Sequence, residues 1–406
     1  MEQYDFDAYV PAKMAARVEK AGITKGNMDF ISMLTQAVLA GSFIGLGAVF
    51  FTYVIHDSTL STGLTKLIGG LVFSLGLILV IITGAELFTG NNLIVMAFVS
   101  RKISFSQLLR NWATVFFGNL IGSLIIVFLI YLSGQWLAGN AAVGYKALMI
   151  ANGKVNITFW QALSRGILCN ILVCLAVYLC FSGRSVTDKI LAIIFPITAF
   201  VALGFEHSIA NMYFIPAGLL LKNVPQVITA AAAFGNTAPD LSNLTVYGFL
   251  VNNLLPVTLG NIIGGTVFVG LAHWFLFLRT PAAESIRSFV YEGPPRVPMG
   301  ASVAQALEVM KQNDSETIIV GEPGNSIGMI SYREIVRNVV EPKKDPTQIN
   351  VEQIMTSPFP SADIKTPIYD IYRIMTDKQL QVILILDGQE QLGFVSSKDI
   401  IANPPS

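Results

Sequence analysis

Six apolar stretches, at approximately 30–55, 64–99, 108–133, 158–182, 187–221 and 246–278, alternate with short polar connections along the first part of the chain. Each is long enough to cross a bilayer as a helix, which takes roughly 20 apolar residues. The second and fifth are longer than one crossing and carry an acid near their middle. These are Glu86 in Ala85-Glu-Leu-Phe-Thr-Gly-Asn-Asn92 and Glu206 in Gly204-Phe-Glu-His-Ser-Ile-Ala-Asn211. Ionisable side chains at membrane depth are costly and usually mark a pathway. The plainer alternative is a satisfied structural pair inside a helix bundle. Each of the two stretches is expected as two half-helices around a break. Residues 1–29 are polar, with a short amphipathic helix expected over Ala12–Ala21 that places Lys13, Arg17 and Lys20 on its polar side.

The pattern repeats. Both breaks carry Glu-x4-Asn, as Glu86 with Asn91 and Glu206 with Asn211. Gln36–Gly41 matches Gln161–Gly166, and Phe117–Gly122 matches Leu259–Gly264, in the same order. Two homologous halves of three segments each follow, and an odd number of crossings inverts one half relative to the other. The expected fold is an all-α polytopic membrane protein, with six segments as inverted 3+3 repeats and broken second and fifth helices. Inverted repeats with interrupted helices place a site at the bilayer midplane. Exposed backbone groups are tolerated there only where they line a cavity or are buried in protein.

Beyond Arg279 the pattern changes. Pro281, Pro294, Pro295 and Pro298 suggest a semi-rigid linker over 280–296, after a membrane part at 30–279. Residues 297–406 then repeat themselves at a constant offset, Met310 with Met375, Gly328 with Gly393, Ser331 with Ser396 and Glu334 with Asp399. Helical spacing at Val303, Ala306, Leu307 and Met310, and again at Ile368, Ile371, Tyr372 and Met375, is followed each time by two strand-like runs. Two helix-strand-strand-helix units make one small α/β domain.

Composition agrees with a membrane protein: 13% of residues are charged and mean hydropathy is +0.61. Zero net charge gives no nucleic-acid footprint. Cys169, Cys174 and Cys180 fall in one expected span, in a spacing that fits no metal or redox motif. The polar N-terminus lacks the apolar core of a cleavable signal peptide. Lys13, Arg17, Lys20, Lys25, Arg101, Lys102, Arg110, Arg184, Lys189, Arg279 and Arg287 lie on one side, against Lys66, Lys146, Lys154 and Lys222 on the other. The richer side is expected in the cytoplasm of a prokaryotic-type inner membrane, with both termini on it.

Several long motifs in fixed order carry a resemblance over nearly all of residues 5–280. They are Ala-Glu-Leu-Phe-Thr at 85–89, Asn111-Trp112 with Phe-Gly-Asn at 117–119, Ser-Gly-Arg-Ser at 182–185, Gly-Phe-Glu-His-Ser-Ile-Ala-Asn-Met at 204–212, and Pro-Val-Thr-Leu-Gly-Asn at 256–261. This part resembles the formate/nitrite transporter family, and within it the formate channels. The resemblance implies an aquaporin-like fold, a homopentamer in membrane lipid, and one path per protomer for a small monovalent anion. It places His207 and Thr89 together at the centre of the path, with Asn170 beside the histidine. Phe73, Leu77, Phe88 and Phe200 would form apolar constrictions, and Leu87 and Val173 would line the same path. The C-terminal part resembles paired CBS modules, which often bind adenine nucleotides, through Gly328-Met-Ile-Ser-Tyr-Arg-Glu334 and Gly393-Phe-Val-Ser-Ser-Lys-Asp399. Glu334 departs from the usual Asp. Ser396 and Asp399 are therefore the better expected nucleotide contacts, ahead of Ser331 and Glu334. The fusion itself departs from the pattern of the familiar formate channels, which end soon after the sixth helix.

The chemistry fits an anion path. Dehydrating an anion is expensive. Lys154, in an expected outside loop, can raise the local anion concentration, although an ordinary solvated lysine would look the same. Half-helix ends offer amides to negative charge, and His207 can hydrogen-bond the anion or pass it a proton. Thr89 can instead satisfy the freed backbone. Glu86, Asn91, Glu206 and Asn211 are expected as anchors of the breaks rather than substrate ligands. No nucleophile–base pair or metal-ligand cluster appears near His207, which argues against an intramembrane enzyme. Formate is the expected substrate, with nitrite, hydrosulfide, bicarbonate or a neutral solute as alternatives. A nucleotide-sensing role is expected for the C-terminal domain, against a purely structural one.

Overall fold

The computed structural model describes residues 8–233, 239–279 and 286–402, in two compact units, Met1–Leu278 and Arg279–Ser406. Pro281 and the rest of 280–285 lie outside the described residues, as do 1–7 and 403–406.

The first unit is helical. Its helices are α1 (Pro11–Gly26), α2 (Phe30–Ile55), α3 (Thr62–Thr83), α4 (Val95–Val99, entered through a 3-10 turn at Gly90–Ile94) and α5 (Phe105–Ser133). They continue with α6 (Ala142–Val155), α7 (Phe159–Cys180), α8 (Val186–Ala202), α9 (Ser208–Leu221), α10 (Pro225–Ala233) and α11 (Gly248–Phe277). Polar caps open the spans where the chain leaves water. Asp29 accepts from Ser32 N, and Ser104, Thr158 and Ser185 form capping boxes with Gln107, Gln161 and Asp188. Among the described residues five helices, α2, α3, α5, α7 and α11, are long and apolar enough to cross a membrane. The fifth expected segment is not among them because it divides into α8 and α9, of 17 and 14 residues.

Both breaks begin on a glycine in the left-handed region, Gly84 at φ +76° and Gly204 at φ +70°. Only glycine adopts that conformation without a steric penalty. Two features were not foreseen. The connection carrying Lys146 and Lys154 is a helix, α6. The match of Gln36–Gly41 with Gln161–Gly166 is also one helical turn out of register. A Cβ on Gly122 would meet Val38 O at 1.9 Å and one on Gly264 would meet Ile167 O at 2.3 Å, which makes Val38 and Ile167 the equivalent pair. They are as far apart in sequence as the caps Asp29 and Thr158. These contacts hold α2 against α5 and α7 against α11 at backbone distance, where only glycine fits.

The second unit contains two three-stranded sheets, β1 (Arg296–Val297), β2 (Thr317–Glu322), β3 (Asn325–Ser331), and β4 (Ser361–Asp363), β5 (Val382–Asp387), β6 (Glu390–Ser396). In each the first strand is parallel to the second and the third antiparallel. A register shift falls at Val320/Gly321 and recurs at the equivalent Ile385/Leu386. Helix Val303–Gln312 covers the first sheet through Val303, Ala306 and Met310, and helix Ile368–Asp377 covers the second through Ile368, Ile371 and Met375. Ile319, Met329, Val382, Leu384 and Phe394 join the sheets at their other faces. The expected linker is structured from Ile286 onward. Ile286 is fully buried in the second core, and Tyr291 exchanges both backbone hydrogen bonds with Phe394.

Candidate functional site

The two breaks carry corresponding Lys–Glu–Asn–Asn contacts, except that Asn91 Oδ1 accepts from its lysine and Asn211 Oδ1 does not. At the first, Lys25 Nζ donates to Glu86 Oε1 (2.7 Å) and Asn91 Oδ1 (2.8 Å). Asn91 Nδ2 donates to Glu86 Oε2 (2.7 Å) and to Asn111 Oδ1 (2.9 Å), and Asn111 Nδ2 returns to Lys25 O (3.2 Å). At the second, Lys154 Nζ donates to both oxygens of Glu206 (3.1 and 3.2 Å). Asn211 Nδ2 donates to Glu206 Oε2 and Asn253 Oδ1 (both 2.7 Å), and Asn253 Nδ2 reaches Lys154 O (2.9 Å). Lys25 and Lys154 occupy the last turns of α1 and α6. Each half therefore carries one helix ahead of its three apolar segments, α1 in the first and α6 in the second. Lys154 is no open-loop lysine: its side chain is 15% exposed and stands over the Phe214 ring at 5.3 Å.

A further asparagine serves each break. Asn119 Nδ2 donates to Glu86 O (2.9 Å) and Ala37 O (2.7 Å), and its Oδ1 accepts from Phe88 N (2.9 Å). Asn261 does the same with Glu206 O (3.0 Å), Gly166 O (2.8 Å) and Ser208 N (2.9 Å). One side chain thus satisfies backbone donor and acceptor groups that the broken helix leaves unpaired. Both carboxylates are fully engaged by protein groups.

Between the breaks, Thr89 Oγ1 and His207 Nε2 are 2.9 Å apart, and both residues are buried. His207 is the N-cap of α9, and its Nδ1 accepts from Ala210 N at 3.1 Å. A backbone N–H can only donate. Nδ1 therefore carries the lone pair, Nε2 carries the proton, and Thr89 accepts it. Asn170 lies behind Thr89 rather than on the ring: its Nδ2 donates to Thr89 O (3.2 Å), Asn92 Oδ1 (2.8 Å) and Asn261 O (2.6 Å). Cys174 Sγ shares the Thr89 carbonyl at 3.2 Å.

Apolar side chains flank this pair. Phe73 meets Phe200 edge-on at 5.8 Å, and Phe200 leans on the His207 ring at 5.9 Å. Leu77 and Leu87 line a small cavity with Val80, Lys25 and Asn91. Phe88 turns toward α5, with Phe116 at 5.0 Å and Trp112 at 6.3 Å. Val173 is buried on α7 between Asn170 and Cys174. The contacts of Lys25, Asn92, Asn111 and Asn253 were not anticipated. For Lys25 a signal lay in its separation from Lys154, which equals that between the caps Asp29 and Thr158, and Asn111 and Asn253 are as far apart as the matched Phe117 and Leu259.

In the second unit a cleft of about 590 Å³ is lined by Ser331–Glu334, Thr356, Pro358–Ser361 and Lys378–Gln381. Glu334 Oε2 accepts from Ser331 N (2.8 Å) and from its hydroxyl. Arg333 and Lys378 make the cleft cationic. At the equivalent ground beside Ser396 and Asp399, Tyr291 stands where the first cleft has Thr356, each paired by two backbone bonds to its strand, Tyr291 with Phe394 and Thr356 with Met329. The Tyr291 hydroxyl is pushed up to about 12 by burial first and by the Asp399 charge second. Lys398 is neutralised by Glu316 at 3.1 Å, and that lysine holds the Glu316 carboxyl below its ordinary range.

Apolar spans, two polar breaks meeting at a buried hydroxyl–imidazole pair, and a duplicated α/β unit define a membrane channel joined to a CBS pair. Residues 12–275 match the formate/nitrite transporter family model, and 286–341 and 351–405 match the CBS domain model. The chain belongs to the formate/nitrite transporter family. It is 45% identical over 277 residues to the formate channel FocA of Escherichia coli (strain K12), covering 68% of this chain and 96% of that one. It is 41% identical to FocA of Haemophilus influenzae, over 66% of this chain and 95% of the relative. A solved structure described as a pentameric formate channel with formate bound is similar at 46% identity and a TM-score of 0.57, over 62% of this chain and 98% of that one. The protein is thus an integral membrane protein of a channel family, carrying a CBS domain.

Proposed function

We propose that the protein conducts small monovalent anions, formate foremost, through a path in each protomer of a homopentamer. The observation that carries this is the buried Thr89–His207 pair, with Nε2–H the donor at the meeting point of two broken helices. An anion at that point accepts the Nε2 proton in a hydrogen bond and displaces Thr89 from it. Thr89 then turns its own O–H toward the same anion. Lys25 and Lys154 neutralise Glu86 and Glu206, so neither break presents a net negative charge to an anion, while the aromatic pair Phe73–Phe200 excludes water beside the ring. Full proton transfer needs a doubly protonated ring, because a neutral imidazole that loses Nε2–H becomes an anion. Proton coupling therefore runs with release of the Nδ1–Ala210 bond.

The two halves cross as inverted repeats, supported by the matching Lys–Glu–Asn–Asn sets, with both termini cytoplasmic as the Lys and Arg distribution requires. The C-terminal unit takes an adenine nucleotide in the Ser331–Glu334 cleft and sets channel opening by binding open and closed forms unequally. The test is flux of formate, nitrite, hydrosulfide and bicarbonate into proteoliposomes at two pH values, with and without ATP, ADP or AMP. Formate uptake driven by its own gradient supports the reading. Uptake of neutral solutes alone would exclude it.

A further inference from the structure

The correspondence between the halves breaks down beside the Thr89–His207 pair. Glu86 answers Glu206 and Val38 answers Ile167, so the same steps along the chain set Asn92 against Met212 and Asn170 against Gly41. Gly122 answers Gly264, which sets Ser123 against Gly265. In the first half α2 and α5 close up. A Cβ on Gly41 would stand 2.0 Å from Asn119 O, and Ser123 Oγ donates to Gly41 O at 3.3 Å. In the second half the large and small residues are exchanged. Asn170 fills the space that Gly265 leaves, where a Cβ would stand 2.5 Å from Asn170 Nδ2. Helix α11 widens to a π-helix there, over Gly264–Leu271, while α5 stays α-helical through the matching stretch. Such widened turns are rare and tend to mark functional positions.

The exchange admits one amide that ties the halves together. Asn170 Nδ2 has two hydrogens for three acceptors. Asn92 Oδ1 (2.8 Å) and Asn261 O (2.6 Å) make the short bonds, and Thr89 O, at 3.2 Å, is shared with the Cys174 thiol. Asn92 is fully buried, and its Nδ2 donates to Phe88 O at 3.3 Å, which turns its Oδ1 toward Asn170. Asn261 in turn holds Glu206 O and Ser208 N, on either side of His207. One polar chain, Asn92–Asn170–Asn261, therefore runs from the backbone around Thr89 to the backbone around His207.

We infer that Asn92 is a positioning residue of the anion path. It acts through Asn170, holding the backbones of Thr89 and His207 at a fixed separation. The Thr89 hydroxyl then turns alone between the Nε2–H and an incoming anion. This rests on the path proposed above. Small misplacements of groups that meet a substrate are costly, so a residue that only supports them matters.

Formate flux into proteoliposomes and magnetic resonance of isotope-labelled histidine, both on the full-length protein, test the inference. Asn92→Leu has the branched outline of asparagine without its polar atoms. It should lower flux severalfold, as Thr89→Val should. The double variant should be no slower than Thr89→Val alone, because both changes act through one hydroxyl. The His207 Nε2–H signal, assigned by its loss in His207→Asn, should move in Asn92→Leu in the same sense as in Thr89→Val. The His56 and His273 signals should stay in place. Asn92→Ser is the second variant if the leucine protein does not fold. Its hydroxyl can still reach Phe88 O four residues back but is too short for Asn170, so the same outcomes are expected. Unchanged flux in a folded variant, losses that multiply in the double variant, or an unmoved Nε2–H signal would each overturn the inference. If the wild-type protein carries no anion, the channel reading falls, and the Nε2–H signal alone decides the role of Asn92.

Discussion

Thr89 accepts the Nε2 proton of His207 because Ala210 N–H, at 3.1 Å, claims the other ring nitrogen. The cap thereby fixes the tautomer that presents a donor to the path. His207→Asn keeps a good N-cap and an N–H donor but no titrating ring. Formate flux is expected to persist and to lose its change between about pH 5 and 8. His207→Phe leaves Ala210 N–H unpaired at a cost of about 1–3 kcal/mol and should reduce flux to background. Unchanged rate and pH profile in His207→Phe proteoliposomes would remove the ring from the mechanism.

The two lysine–glutamate pairs differ in burial, and that sets their order of importance. Lys154 and Glu206 have side chains 15% and 6% exposed, whereas Lys25 is 30% exposed beside Glu86 at 3%. Removing one partner of a buried pair costs about 3–5 kcal/mol because the other charge is stranded. Lys154→Met should lower the thermal midpoint of the detergent-solubilised protein more than Lys25→Met. Lys154→Met with Glu206→Gln should recover part of the loss. A double variant no better than the single would assign Lys154 a surface role.

Much of this was legible in the sequence, and the rest failed for identifiable reasons. The breaks showed because the same Glu-x4-Asn pattern interrupts two long apolar runs, and Gly84 and Gly204 are glycines where the left-handed backbone needs them. Lys25 did not show, because a lysine in a polar lead-in looks solvated until its partner Glu86 is placed. Helix α6 was read as a loop because Gly144, Lys146, Gly153 and Lys154 dilute its apolar pattern. The repeat register slipped by one turn because small residues recur every turn along α2 and α7. In the C-terminal unit the duplicated helices were clear, while β1 and β4, of two and three residues, are too short to carry a period.

Close packing at glycine gives a graded prediction. A Cβ at Gly122 would stand 1.9 Å from a backbone oxygen, while Gly153 has nothing within 4 Å. Gly122→Ala must push α2 and α5 apart and should abolish the monodisperse channel on size exclusion. Gly153→Ala, in a helix with open space, should be neutral or stabilising by up to about 1 kcal/mol. Equal behaviour of the two variants would show that the α2–α5 contact does not set stability.

The ligand cleft yields the last prediction. Arg333 and Lys378 face the space beside Ser331 and Glu334, and charged donors of that kind hold phosphate. At the equivalent place the larger Tyr291 stands where the first cleft has Thr356, and Lys398 is ion-paired to Glu316. One nucleotide per chain is therefore expected, in the first cleft. Calorimetry on the full-length protein should show that Arg333→Ala with Lys378→Ala weakens binding at least tenfold. Asp399→Ala should change it little. The same nucleotide should alter formate flux, and deletion from Pro281 onward should leave flux that no longer responds. If Asp399→Ala were the damaging variant, the site would move to the second half. If no adenine nucleotide bound at all, the unit would be left with a purely structural role.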